Sequence, residues 1–358
     1  MVYFDNAATT PVPKAVADAM YEVLTAHFGN PSSQYPMGVE MKKAVEGWRA
    51  VIAGALGCPA ERLYFTSCGT ESDNWAIQAA LWQNRHRGRH IITTAVEHSA
   101  VLEPCKLLAQ QGYEVTYLKP GRDGNVTAEQ VADALREDTA LVSVMLVNNE
   151  TGCVFPDAVQ GFLKVPCDPE GWGVDLMSLS GHKVGGPKGV GALYIGPRVR
   201  NPRPLLPGGG QERGARSGTE ATAQIAGFAK AVELRLADYD AKLAHMAGLK
   251  AYCREKLLAM GGVVPVGEGT APHILAVSLV GYPSANIVTD LGAQGICISA
   301  GSACHQGKAS HVVSALGLDK KTAAGVIRIS FSPDNTREDV DVLCQALLAH
   351  RDSRFPML

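Results

Sequence analysis

The feature that most constrains this chain is a regular alternation of short apolar runs and amphipathic stretches between residues 62 and 147. Strands are predicted at 63–66, 90–94, 113–118 and 140–147, and helices at 71–82, 99–111 and 127–136. The connections between these segments are short. Repeated strand–helix units of this kind predict an α/β fold with a mostly parallel sheet covered by helices.

The same reading divides the chain into two domains. Apolar runs at 176–179 and 192–195 add two strands, and a helical stretch covers 220–260. After Gly261 the pattern becomes a smaller α+β arrangement, with strands at 273–280, 296–300 and 326–332 and helices at 284–291 and 336–350. We predict a large domain over 14–260 and a small domain built from 1–13 and 261–358.

Composition excludes several classes of protein. A net charge of −2 without basic blocks argues against a nucleic-acid or membrane-surface partner. The first residues lack the basic and apolar regions of a signal peptide, so a cytoplasmic location is expected. Nine scattered cysteines without a Cys-x-x-Cys pair indicate neither a disulfide framework nor a metal site.

Lys183 is the first candidate for chemistry. It follows the predicted strand at 176–179 and precedes a glycine-rich turn, which places it at the carboxyl end of a strand. Ligand crevices of α/β sheets form at such ends. A partly desolvated amine there can lose its proton and attack a carbonyl carbon, as Schiff-base lysines do. The alternative is a solvated loop lysine.

Three loops are further candidates. The turn from Thr66 to Thr70 joins a strand to a helix, so its N–H groups could hold a phosphate, or its hydroxyls could simply cap the helix. The glycine-rich loop at 207–219 contains arginines, which favours an anion-binding role. Cys304 lies among small residues beside His305 and Lys308, surroundings that make a thiol reactive, although a structural cysteine is the alternative.

Nine motifs occur in one order and span nearly the whole chain. The motifs are Asp5-Asn-Ala-Ala-Thr-Thr-Pro, Gly29-Asn-Pro-Ser-Ser, Thr70-Glu-Ser-Asp-Asn, Glu97-His, Val147-Asn-Asn-Glu-Thr-Gly, Ser180-Gly-His-Lys, Arg213-Gly-Ala-Arg-Ser-Gly-Thr, Gly301-Ser-Ala-Cys and Ile327-Arg-Ile-Ser. Together they resemble the cysteine desulfurases of the NifS/IscS type, pyridoxal-phosphate enzymes of aminotransferase class V. The resemblance implies the pyridoxal-phosphate fold type I.

The resemblance also implies a role for each matching residue. Lys183 would carry pyridoxal 5′-phosphate covalently, Arg328 would bind the substrate carboxylate together with Asn149, and the catalytic residues would be Lys183, Cys304 and His98. The cofactor phosphate would be held by Gly69, Thr70, Ser180, His182 and, from the second subunit of a homodimer, Thr219. The cofactor ring would be held by His98, Asn149, Asp157 and Gln160.

By the same resemblance, the enzyme would convert L-cysteine to L-alanine and leave a persulfide on Cys304. Lys183 would take the Cα proton, and the Cys304 thiolate would attack the substrate sulfur. A sulfur-acceptor protein, either an iron–sulfur scaffold or a tRNA-thiolation protein, would collect the persulfide for iron–sulfur cluster or thio-cofactor synthesis.

The chain departs from the family at one point. Relatives have a helix and a strand between the Asn-Asn-Glu-Thr-Gly and Asp-Ala-Val-Gln motifs, whereas only residues 151–156 separate Glu150 from Asp157 here. A parallel crossover requires a dozen or more residues, so we predict a deletion near 152–157 and a sheet that lacks one central strand. One alternative is a selenocysteine lyase or another class V enzyme. A second alternative, which the missing segment before Asp157 supports, is a non-catalytic or defective homologue.

Overall fold

The structure is a computed structural model and describes residues 1–154, 160–300 and 310–356. Asp157 and Cys304 lie outside the described residues. The helices are α1 Lys14–Thr25, α2 Pro36–Leu56, α3 Gly69–Gln83, α4 Ser99–Gln110, α5 Ala128–Ala134, α6 Thr222–Leu236, α7 Tyr239–Ala259, α8 Ser284–Ala293, α9 His311–Ala315, α10 Lys320–Ala324 and α11 Arg337–Ser353.

The strands found among the described residues form four sheets. They are β1 Val2–Tyr3, β2 Leu63–Thr66, β3 His90–Thr94, β4 Glu114–Leu118, β5 Thr139–Ser143, β6 Leu176–Ser180, β7 Gly191–Ile195, β8 Val263–Pro265, β9 Ile274–Leu279, β10 Ile296–Cys297, β11 Ser299–Ala300 and β12 Val326–Ser330. The predicted α/β class is confirmed.

The large sheet region consists of two separate three-stranded sheets. Strand β3 pairs in parallel with β4 and β5, which gives the order β4-β3-β5. Strand β7 pairs antiparallel with β2 and β6, which gives the order β2-β7-β6. Among the described residues no strand joins β5 to β6, an arrangement that the shortened connection after Glu150 predicts.

The small sheets bring the two ends of the chain together. Strand β1 pairs in parallel with β10, and β12 lies between β11 and β9 in an antiparallel sheet that β8 completes. The single strand predicted over 296–300 is two short strands, β10 and β11, which belong to different sheets. The partners of β1 come from the far end of the chain, a pairing that no local pattern reveals.

Local signals explain most helix ends. Helix α2 ends at Gly57, whose φ of 73° is accessible to glycine without strain. Helices α5 and α11 begin with capping boxes at Thr127 and Thr336. The predicted helical stretch over 220–260 is two helices, because Asp238 adopts a φ of 54° between α6 and α7.

Two main apolar cores support the fold. One lies under β2, β6, β7, α2 and α6 and contains Phe162 and Phe228. The other contains Phe4, side chains of α7, α8 and α11, and residues of β9 and β12. Among the described residues, no helix combines the length and apolar composition that crossing a bilayer requires.

Candidate active site

A cavity of about 450 Å³ lies where β5 and β6 end and where the small sheet approaches them. It gathers most of the residues singled out from the sequence. Those lining it are Gly69, Thr70, His98, Asn149, Gln160, Ser180, His182, Lys183 and Arg328. The cavity wall also includes residues that the sequence reading did not assign, namely Cys68, Asp73, Glu97 and Ser299.

Lys183 closes the turn that follows β6. Its Nζ donates hydrogen bonds to the carbonyl oxygens of Ala7 at 2.7 Å and Ala8 at 2.8 Å. Burial and the nearby Arg328 guanidinium lower the pKa of Lys183 to about 8. A substantial fraction of this amine is therefore neutral in mildly alkaline solution, and a neutral amine is the nucleophilic form.

The first turn of α3 faces the same cavity. Gly69 and Thr70 open the helix, so their N–H groups have no partner within it and mark the positive end of its dipole. Ser180 and His182 lie opposite on the turn that carries Lys183. Burial and Lys183 lower the pKa of His182 to about 4, so the ring is neutral at physiological pH. This arrangement suits a phosphate group.

His98 is the N-cap residue of α4. Its Nδ1 accepts a hydrogen bond from the Ala100 N–H at 3.1 Å, which assigns the proton of the neutral ring to Nε2. Burial and the charge of Lys183 lower the pKa of His98 below its usual value of 6.5. The neutral ring can therefore pack against an aromatic ligand without placing a second cation beside Lys183.

Arg328 on β12 is held on three sides and is 8% exposed. Its Nη2 donates hydrogen bonds to Asp5 Oδ1 at 2.7 Å and to Ser299 Oγ at 2.8 Å. Its Nη1 donates a hydrogen bond to the Asn149 carbonyl oxygen at 2.7 Å. Its Nε makes no hydrogen bond with any described residue. Asp5 thus fixes the guanidinium, a role that was missed although Asp5 opens the first motif.

Gln160 contributes an unsatisfied acceptor. Its Nε2 donates to the Ala7 carbonyl at 3.1 Å, whereas its Oε1 is buried without a partner among the described residues. A buried polar atom of this kind costs free energy until a donor reaches it. A ligand hydroxyl in the cavity would supply that donor.

Glu97 lies behind His98 and is 1% exposed. Its Oε1 accepts hydrogen bonds from the Met145 N–H at 2.8 Å and the Thr94 hydroxyl at 3.1 Å. Burial, with a smaller contribution from the charge of Asp73, raises the pKa of Glu97 to about 8. Glu97 therefore keeps its proton at neutral pH. Glu-His was part of a motif, but nothing in the sequence indicated this protonation state.

Thr219 does not line this cavity. It borders a separate hollow near Ser67 and Arg216. The arginines of the glycine-rich loop make contacts within the chain: Arg216 pairs with Glu71 at 2.7 Å, and Arg213 donates to the Glu61 carbonyl at 3.0 Å. Both arginines thus contact groups of their own chain among the described residues. These contacts do not test whether the arginines also bind an anion.

Known proteins match nearly the whole chain. The sequence profile of class V aminotransferases matches residues 2–343. A cysteine desulfurase IscS of Methanosarcina thermophila is 42% identical over 95% of this chain and 89% of its own length. A cysteine desulfurase of Trichormus azollae is 40% identical over 97% of this chain and 92% of its own.

Solved structures agree with these matches. A NifS-like protein superposes with a TM-score of 0.92 at 36% identity, over 98% of this chain and 99% of that one. A structure described as SspA in complex with cysteine gives a TM-score of 0.80 at 33% identity, over 94% of this chain and all 100% of that one.

Proposed function

Because this chain belongs to the class V aminotransferase family and, within it, to the cysteine desulfurases, we propose that it removes sulfur from L-cysteine with pyridoxal 5′-phosphate. The products are L-alanine and a persulfide on Cys304. The observation that carries this proposal is the convergence of Lys183, His98 and Arg328 on one cavity.

The residues present fit the cofactor. A phosphate suits the free N–H groups at the start of α3, and the unsatisfied Oε1 of Gln160 suits the hydroxyl of the pyridine ring. The residues that would hold it are Gly69, Thr70, His98, Asn149, Gln160, Ser180, His182 and Lys183. Asp157, which the resemblance pairs with the ring nitrogen, completes this proposed set. When bound, the cofactor provides an electron sink for the pair of electrons left on Cα after proton loss.

The chain's own residues perform the remaining work. Arg328 binds the substrate carboxylate with a guanidinium already oriented by Asp5, so little conformational freedom is lost on binding. Lys183, whose pKa is about 8, accepts the Cα proton as a neutral amine and returns it to the product. The Cys304 thiolate attacks the substrate sulfur, the carbon–sulfur bond breaks, and the sulfur remains on Cys304 as a persulfide.

A homodimer is part of the proposal. The exposed large apolar side chains between residues 12 and 39 are concentrated on and around α1 and the start of α2, the kind of patch that marks a protein interface. They are Val12, Tyr21, Leu24, Phe28, Tyr35, Met37 and Val39. Since Thr219 does not line the cavity of its own chain, a second copy would supply it across this interface.

The sulfur acceptor and the compartment follow from the chemistry. A persulfide must be passed on, so we infer an acceptor protein of the iron–sulfur scaffold or tRNA-thiolation type. Seven of the cysteines that the structure describes are free thiols, which suits the reducing cytoplasm; they are Cys58, Cys68, Cys105, Cys153, Cys253, Cys297 and Cys344.

The function is tested with purified protein supplied with pyridoxal phosphate and L-cysteine. We expect a visible absorption band, alanine release and a protein persulfide. Lys183→Ala should abolish the band and alanine release, whereas Lys188→Ala, which alters an exposed lysine of the following turn, should leave both intact. Alanine release by Lys183→Ala at the unsubstituted rate would refute the assignment.

A further inference from the structure

A second cavity lies between the two three-stranded sheets. It has a volume of about 490 Å³ and is bordered by β5 on one side and β6 on the other, with α3 along its floor. We call this space the strand slot. Residues following β5 and the end of β6 both line the catalytic cavity, so the two strands run in the same direction along the slot.

Both borders of the strand slot are sheet edges. Strand β5 pairs only with β3, and β6 pairs only with β7, among the residues that the structure describes. The Ala140 carbonyl points away from β3, because it accepts a hydrogen bond from Asn84 Nδ2 at 2.9 Å. By the alternation of a strand, the backbone of Val142 also faces the slot. Unpaired edges of this kind are templates for another strand.

Apolar side chains line much of the slot, together with the charged residues Asp73, Arg87 and Asp175. Ala76, Ile77 and Ala80 of α3 line its floor, and Trp172 and Val174 line its border near β6. The small alanine side chains leave room for larger partners. A strand buried on both faces of a parallel sheet is normally a continuous apolar run, so the slot favours valine and isoleucine over charged residues.

We propose that the strand slot binds an extended apolar segment of another polypeptide, about five residues long, which runs parallel to β5 and β6. Strands β5 and β6 each contain five residues, so a segment of that length would match both edges. The backbone of the segment would take up the free donors and acceptors of both edges and join the two sheets into one. This mode of recognition is strand addition.

The slot adjoins the catalytic cavity. Asp73 and Val101 line both spaces. The last residue of a bound segment would therefore lie beneath the catalytic cavity and stiffen its floor. Resting on the proposed function, this predicts that a bound segment slows the loss of pyridoxal phosphate.

The test uses a synthetic pentapeptide of alternating valine and isoleucine, acetylated, amidated and preceded by two lysines for solubility. Calorimetric titration into the full chain without added cofactor should show one peptide per chain. A peptide N-methylated at alternate residues, which cannot donate those hydrogen bonds, should bind about tenfold more weakly or worse.

A matched pair of variants locates the binding. Val142→Pro removes one N–H group facing the slot and should weaken binding severalfold, whereas Val142→Ala retains that group and should bind as the unsubstituted chain does. Circular dichroism checks that both variants fold. No heat of binding, or equal affinity for the N-methylated peptide, would overturn the proposal.

Cofactor loss is measured separately, by dialysis of the loaded protein with and without the peptide. Slower loss with peptide supports the coupling between slot and cavity, and an unchanged rate rejects that coupling. Because peptide binding is measured without cofactor or turnover, failure of the proposed enzymatic function would not be mistaken for failure of the slot.

Discussion

Glu97→Gln should stabilise the protein at alkaline pH and not at acidic pH. Glu97 is 1% exposed, and its surroundings raise its pKa to about 8 from 4.5. The folded state therefore binds this proton more tightly than the unfolded state does. The resulting stability is fully present below pH 4.5 and is lost as the pH rises through 8.

The magnitude follows from the same two values. Each pH unit between 4.5 and about 8 corresponds to 1.36 kcal/mol, so ionisation costs the folded state about 5 kcal/mol by pH 8. Glutamine has nearly the same shape and can accept the same hydrogen bonds from Met145 and Thr94. It cannot ionise, so the variant avoids this cost.

The assay is urea unfolding of the cofactor-free protein, followed by circular dichroism at pH 5, 6, 7 and 8. The free energies of unfolding of the two proteins should nearly coincide at pH 5 and diverge toward pH 8 in favour of Glu97→Gln. Glu103→Gln, an exposed change on α4, is the control and should follow the unsubstituted protein throughout. A constant difference between Glu97→Gln and the unsubstituted protein at every pH would refute the protonation argument.

Three further predictions concern single side chains. Arg328→Ala should reduce kcat/KM by the equivalent of about 2–5 kcal/mol in steady-state assays, because the substrate carboxylate loses a desolvated partner; unchanged kinetics would place the carboxylate elsewhere. Cys304→Ser should retain the cofactor band but form no persulfide by mass mapping, and a persulfide on another cysteine would reject the assignment. Glu212→Ala leaves the buried Arg49 without its 2.7 Å partner and should cost about 3–5 kcal/mol in urea unfolding. Glu46→Ala removes an exposed partner of the same arginine and should cost under about 1 kcal/mol, so equal losses would contradict this reasoning.

The sequence predicted those parts of the fold that depend on local pattern. Strand β3 was predicted with its observed ends, because four β-branched residues in a row follow His90. Strand β5 was predicted to reach Val147 but ends at Ser143, where the chain turns toward the cavity. No glycine or proline lies beside Asp238, so the sequence did not predict the sharp bend there.

The site residues that belong to a motif were predicted from the sequence. Contacts between residues that are far apart in the sequence were not. Lys183, His98 and Arg328 were identified from motifs, and the fold brings them to one cavity. The fixing of Arg328 by Asp5 joins residues more than 300 positions apart, so only the folded chain reveals it. The sequence placed helix α7 in the large domain. Its Cys253 belongs to the same apolar core as Phe4, so we propose that α7 is part of the small domain.

The contacts between residues 2–5 and residues 296–330 affect the order in which parts of the fold can form during translation. Strand β1 pairs with β10, and Asp5 forms an ion pair with Arg328 and a backbone bridge with Ser330. Residues 2–8 are therefore synthesised long before their partners, and they include the two residues whose carbonyl groups hold Lys183, Ala7 and Ala8. A nascent chain stalled before residue 328 would therefore lack the Arg328 contact that holds Asp5 beside the catalytic cavity.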